Sequence, residues 1–167
     1  GIVADIGANI GNHTLYFLNE VQAQKVYAFE PVLNTFLLLR KNMMLNHLQD
    51  RTELYCCGLG AKEGRADVSA YVGSNSGATH LSEQENGNIQ IHCLDDFALK
   101  DIQLIKIDVE GWELEVLEGA KETLDQYHPY VIIEVFPYHV ERACRFMTEL
   151  GYKNYQLDDK NFLFYVE

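Results

Sequence analysis

"VADIGANIG", Val3 to Gly11, sets a short apolar run directly before Gly7, Ala8 and Gly11. Leu15, Leu18 and Val21 then recur at helical spacing, so the stretch reads as strand, tight turn and helix N-terminus. With the strand ending near Ile6, Gly7 to Asn12 bring backbone amides and a helix start to one corner, a place suited to an anionic group. The next strand-like run, "KVYAFEP" from Lys25 to Pro31, carries Glu30 at its end, where the proline stops it. Glu30 follows Asp5 at close to the ~20-residue interval at which an acid takes ribose hydroxyls in nucleotide-binding folds. Together the two stretches predict a ligand with a ribose and, over the glycine bend, a polar or charged tail. The dinucleotide pattern GxGxxG is absent, because Ala8 and Asn9 stand where its second glycine belongs, and this disfavours NAD and FAD.

Outward from that corner the chain alternates. "LNTFLLLRKNMMLNHL" (33–48) is helical, "TELYCCGLG" (52–60) is a third strand closed by glycines, and "IQLIKIDV" (102–109) is a nearly continuous apolar strand that belongs at the sheet centre. "ELEVLEGAKETL" (113–124) reads as one helix with Leu114, Leu117, Ala120 and Leu124 on its buried face. Asp95 or Asp96 caps a short helix before the central strand, and "YVIIEVF" (130–136) is another buried strand. A helix striped by Val140, Ala143, Cys144, Met147 and Leu150 ends at Gly151, and "KNYQL" and "NFLFYV" form a terminal hairpin. Between residues 66–72 and 89–93 strict alternation marks an inserted β-hairpin, flanking a polar stretch, "GSNSGATHLSEQENGN" (73–88), with the composition of a surface loop. The sum is an α/β domain of crossover-connected strands, which binds ligands at the carboxyl ends of those strands.

Composition bounds the function. A chain of 167 residues that is 47% hydrophobic makes one globular domain, 1–167, and no window approaches the ~18 apolar residues of a membrane span. The formal charge of −12 argues against a phosphate-tracking surface, hence against nucleic acid, and favours a small or neutral partner. Cys56, Cys57, Cys93 and Cys144 contain no CxxC and read as buried thiols of a reducing, cytoplasmic compartment. The chain opens inside its first strand, so a preceding segment is expected and targeting is not legible.

"DIGANIG", "YAFEP", "IKIDVEGWELEVLEGA", "IIEV" and the final "GY…FLFYV" together resemble the FkbM-type methyltransferases, within the Rossmann-like class that uses S-adenosyl-L-methionine. The resemblance spans nearly the whole chain, and "KIDVEG" is its most specific block. It implies a three-layer Rossmann-like methyltransferase fold, with a mostly parallel seven-stranded sheet whose last strand is antiparallel. It also implies methyl transfer to a hydroxyl oxygen of a small acceptor such as a saccharide or polyketide. Position by position, Asp5, Gly7, Ala8, Asn9 and Gly11 match the cofactor loop, Glu30 and the adjoining Pro31 match the ribose site, and Asp108 stands where the methyl-bearing sulfur lies. Cys57 and Gly58 end the third strand where an acid is often found, which leaves backbone groups to meet the adenine amino group.

Asp108 and Glu110, two apart at the exit of a buried strand, are the candidate catalytic residues, and Lys106 is expected to pair with one of them. The same two acids also suit capping of the helix that begins near Trp112. Without a third ligand in view, no metal is expected. Trp112 walls the site or joins the core; Glu134 orients substrate or is solvated; His80 and His92 act as base or are packed; His13 faces solvent in the first helical turn. Residues Gly73 to His80 are the candidate substrate lid. Two other readings stay open: a non-catalytic cofactor-binding module of the same fold, and a NAD-dependent oxidoreductase.

Overall fold

The computed structural model describes residues 1–71 and 79–167. Its main sheet holds seven strands, β1 (Ile2–Ile6), β2 (Lys25–Phe29), β3 (Thr52–Tyr55), β8 (Ile102–Ile107), β9 (Tyr130–Glu134), β10 (Lys153–Gln156) and β11 (Asn161–Tyr165), in the order β10-β11-β9-β8-β1-β2-β3. The pairs among β3, β2, β1, β8 and β9 are parallel, and β11 runs antiparallel to both its neighbours. The run 102–107 thus lies at the centre, with four of its six residues buried, Ile102, Ile105, Lys106 and Ile107, as a parallel strand covered on both faces requires.

Alternation along β1 divides the core. Val3 joins Phe17 and Leu18 of α1 (Asn12–Asn19) and Leu39 and Met43 of α2 (Leu33–Leu45) on one face. Ala4 and Ile6 join Leu114 and Leu117 of α3 (Glu113–Glu118), Leu124 of α4 (Lys121–Tyr127), and Ala143 and Met147 of α5 (Val140–Glu149) on the other. This is the three-layer α/β/α sandwich that the strand alternation implies. No described helix is long and apolar enough to cross a membrane.

Several local expectations are corrected. "TELYCCGLG" is not one strand: β3 stops at Tyr55, the chain leaves the main sheet through Cys56 and Cys57, and Gly58–Leu59 (β4) joins a second sheet. That sheet, ordered β4-β7-β5-β6, comprises also β5 (Gly64–Tyr71), β6 (Thr79–Glu83) and β7 (Ile89–His92), so the insertion is larger than a hairpin. Strand β6 lies inside the stretch read as loop; it pairs antiparallel with β5, and Leu81 alone among its described side chains packs on the Ala66–Ile89–Ile91 cluster. One apolar contact suffices for an edge strand, and it leaves no periodicity to read.

The helix expected over 113–124 is two helices, broken at Gly119. A Cβ there would stand 2.0 Å from the Gly60 carbonyl oxygen, so the break lets β4 pass against the helix pair. The new N-terminus is capped from afar: Asp95 accepts from the Glu122 and Thr123 amides, at 2.9 Å each, and from the Thr123 hydroxyl at 2.7 Å. Asp95 therefore caps α4, while the short turn at 94–97 is capped by Cys93 with Asp96 returning the bond. In α1 the buried stripe is Phe17 and Leu18, since the helix ends at Asn19 and Val21 is exposed. Of the four thiols only Cys57 is buried; Cys56 is exposed, and Cys93 and Cys144 are half-buried.

Candidate active site

The carboxyl ends of β1, β2 and β8 open onto one cavity of about 260 Å³. Its wall includes Gly7 and Asn9 from the opening corner, Glu30 and Pro31 from the end of β2, Cys57 and Gly58 from the crossing between sheets, and Asp108, Glu110 and Trp112 after β8. Glu134 at the end of β9 and Leu81 of the second sheet complete it. Segments far apart in sequence meet here because parallel strands all deliver their ends to one edge.

Asp5, Ala8 and Gly11 lie behind this wall. The corner also differs from an open amide cradle: the Gly7 and Ala8 amides donate to the Phe29 carbonyl at 3.0 and 2.9 Å, and Gly11 N–H donates to Ala8 O at 2.9 Å. Asn9 N–H donates to Glu30 Oε2 at 3.0 Å, and Ile10 N–H to Asn9 Oδ1 at 2.8 Å. The amides of residues 7 to 9 are therefore spent in knitting the exit of β1 to the end of β2, and those of residues 10 and 11 in closing the turn itself. The glycines answer to space instead. At Gly7 (φ +74°) a Cβ would stand 1.9 Å from the Asp108 carbonyl oxygen, and at Gly11 (φ +95°) it would stand 2.7 Å from Leu39 Cδ1.

Glu30 is buried, at 6% exposure, and both its oxygens face donors: Asn9 N–H on Oε2 and Val32 N–H at 2.9 Å on Oε1. A carboxylate has about four acceptor sites, so roughly two remain for hydroxyls entering from the cavity. Burial holds the Glu30 carboxyl above the ordinary carboxylate range, against the opposing pull of the Val32 and Asn9 hydrogen bonds and of Lys106. A vicinal diol fits this group, because two hydroxyl donors would satisfy the lone pairs that the fold leaves over.

Behind Asp108 lies an ionic cluster. Lys106, 6% exposed in mid-strand, donates to Gly7 O at 3.1 Å, and its Nζ stands 3.4 Å from Asp5 Oδ1 and 3.5 Å from Asp108 Oδ2. Asp5 is fully buried and takes a 2.6 Å bond from the Thr14 hydroxyl on Oδ2. Asp5 thus serves the site from behind, through Lys106, which in turn restrains the carboxylate of Asp108 at the cavity wall. The expected pairing of Lys106 holds for Asp108.

Cys57 presents a neutral wall: burial pushes its thiol up to about 12, so it stays protonated at neutral pH. Trp112 does line the cavity, and its indole N–H finds no hydrogen-bond acceptor among the described residues. Glu134 lines the cavity too and meets Lys160 Nζ at 3.3 Å. His92 lies off the cavity, edge-on to Phe97 with ring centroids 5.9 Å apart, and His13 is exposed. Of the proposed lid, Gly73 to Ala78 lies outside the described residues, and Thr79 and His80 open β6.

Sequence reasoning missed a third buried acid. Glu113, 1% exposed, accepts from the Gly111 amide at 2.8 Å and lies 2.9 Å from His139 Nδ1. A glutamate two residues past a glycine bend reads as an ordinary first-turn helix residue, and its partner stands 26 positions along the chain.

The model of the Methyltransferase FkbM domain matches residues 5–154. "Methyltransferase 1" of Beauveria bassiana is 28% identical over 191 aligned positions, covering 99% of this chain and 73% of that protein. The 2-O-methyltransferase NoeI of Sinorhizobium fredii is 31% identical over 74% of this chain and 58% of its own length. The hexuronic acid methyltransferase AglP of Haloferax volcanii is 30% identical over 80% of this chain and 55% of its own. The chain thus spans little more than half the length of the last two. Among solved structures, an FkbM methyltransferase of Methylobacillus flagellatus superposes with a TM-score of 0.71 at 20% identity, over 98% of this chain and 43% of that one. A strand-end acid, a close-packed glycine bend and a "KIDVEG" exit, within a match that takes in nearly all of the sequence, make this chain a member of the FkbM methyltransferase family.

Proposed function

We propose that the chain is an S-adenosylmethionine-dependent O-methyltransferase acting on a hydroxyl of a small molecule or sugar. The observation that carries this reading is Glu30: a buried carboxylate in a cavity wall, with two backbone donors in place and acceptor capacity left for a ribose diol. The names of the relatives NoeI and AglP support oxygen as the target atom and a sugar-like acceptor. When bound, S-adenosylmethionine supplies an activated methyl group on a sulfonium centre.

In this reading Glu30 grips the ribose, with Pro31 and Cys57 bordering the adenosyl end and Gly7 and Asn9 the amino-acid end. Asp5, Ala8 and Gly11 shape that wall from behind. Asp108, restrained by Lys106, lies at the mouth of β8, where the acceptor oxygen meets the methyl group. Asp108 or Glu110 receives the acceptor proton; positioning of the oxygen is the larger contribution, up to about 7–11 kcal/mol of barrier, against ~10²–10⁴-fold in rate for a base. Trp112 and Glu134 wall the acceptor side.

Isothermal titration with S-adenosylmethionine tests the reading. Glu30→Gln loses charge-assisted bonds to two hydroxyls, each about 1.5–3 kcal/mol, and should weaken binding at least about tenfold. The pH dependence follows from Glu30's raised pKa. An acid raised by burial is stabilising as the protonated form, so the fold loses that contribution as pH rises through the folded pKa. A diol that donates to the carboxylate favours the ionised form, so binding should release protons and tighten as pH climbs above the ordinary carboxylate range, then level off. Titration in two buffers of different ionisation enthalpy measures the proton release. Wild-type protein that takes up no S-adenosylmethionine would end the proposal.

A further inference from the structure

One loop leaves the carboxyl end of β8 along the cavity wall, and a second leaves β9 just after Glu134, the last residue of that strand to line the cavity. The first, Asp108 to Trp112, contains two consecutive residues in the left-handed region, Glu110 (φ +50°) and Gly111 (φ +98°). For glutamate that conformation is unfavourable and persists only where its surroundings impose it. The second loop, after Glu134, carries Phe136 and Tyr138 as parallel stacked rings 5.6 Å apart, and Tyr138 meets His139 edge-on at 4.4 Å. One buried side chain touches both loops. Glu113 takes the Gly111 amide on Oε1 and His139 Nδ1 on Oε2. His139 is the residue immediately before α5, and α3 packs on α5.

We infer that Glu113 is a positioning residue, whose carboxylate braces the loop carrying Glu110 and Trp112 against the loop carrying Phe136 and Tyr138 and so fixes the width of the acceptor mouth. The inference rests on the reading of this cavity as the methyl-transfer site, but its geometry does not. A helix cap alone would need only the Gly111 contact. The second oxygen is committed instead to an imidazole from another element, inside a pair that is almost wholly sealed from water: the Glu113 side chain is 1% exposed and that of His139 16%. The pair fixes the His139 tautomer and orientation as well, since Nδ1 is held at the carboxylate.

Trp112 gives a direct readout, because it is the chain's sole tryptophan and lies on the braced loop. In the whole chain without added ligand, well below the melting temperature, Glu113→Ala should shift Trp112 emission to the red and raise acrylamide quenching about twofold or more, with far-UV circular dichroism unchanged. Glu113→Gln retains an oxygen for Gly111 N–H and should restore most of the wild-type emission. His139→Leu cuts only the second contact and should give an intermediate shift; it also serves where Glu113→Ala does not fold. With an acceptor whose free hydroxyl the wild-type protein methylates, misplacing the mouth by an ångström should lower kcat about a hundredfold while the affinity for S-adenosylmethionine stays within about twofold. Folded Glu113→Ala and His139→Leu proteins with wild-type emission and quenching would overturn the brace. A wild-type chain that shows the fluorescence effects but takes up no S-adenosylmethionine would leave the brace standing and remove the function.

Discussion

Lys106→Met should be among the most damaging single changes this fold can suffer, with a loss of about 3–5 kcal/mol and a fall in Tm of ~6–20 °C. The ammonium group occupies the interior of the sheet at 6% exposure, between Asp5 at 3.4 Å and Asp108 at 3.5 Å. Asp5 has no exposure at all, and among the described residues its Oδ1 has no hydrogen-bond donor, only this ionic neighbour. Removing the cation strands a charge in low dielectric, which costs far more than the pair itself contributes. Asp5→Asn added to Lys106→Met should recover part of the deficit, because it removes the stranded charge. Thermal melts of the single and double variants measure the recovery. A Lys106→Met protein as stable as wild type at neutral pH would show that Asp5 is not held as an anion.

Gly7→Ala should be comparably severe, for a steric reason. The added methyl would sit 1.9 Å from the Asp108 carbonyl oxygen and 2.9 Å from its carbon, both backbone atoms of the neighbouring strand exit, and the residue must hold φ at +74°. Left-handed geometry alone costs ~1–2 kcal/mol for a residue with a Cβ, and the clash has no flexible side chain to absorb it. A total above about 4 kcal/mol is expected, in the range where a domain of this size is close to unfolding. Soluble yield and urea midpoints compare it with Gly64→Ala, where an added Cβ meets nothing within 4 Å. Equal midpoints would mean that the exits of β1 and β8 can part without penalty.

These two sites differ in how far the sequence announces them. Lysine in the middle of "LIKI" is anomalous in a strand buried on both faces, and the anomaly itself signals an internal counter-charge; one partner, Asp108, follows from spacing. The other, Asp5, is delivered by the parallel pairing of β1 with β8, a long-range event that no local pattern encodes. The alternation of strands and helices and the place of Glu30 at a strand end were legible because periodicity and a terminating proline are local. The split between β3 and β4 was not, since both pieces are apolar and the choice of sheet is made by what Gly58 packs against, Ile91 across the insertion. Strand β6 was hidden by polar composition, and the break at Gly119 by a buried face that continues unaltered through it. The opening corner reads in sequence as an open amide cradle, and the fold corrects this: its amides are taken up by the Phe29 carbonyl and the Glu30 carboxylate, groups the corner meets only in the fold.

The place of β1 in the sheet has a consequence for assembly. Ile2 pairs on one side with Lys25 and on the other with Ile102, so the first strand is zipped between a near neighbour and one most of the polypeptide away. Closing a loop of about a hundred residues costs ~4 kcal/mol of chain entropy before any seam contact compensates it, and such joins are slow. The β1–β8 seam, and with it the wall that Gly7 and Asp108 share, therefore closes only once β8 has been made.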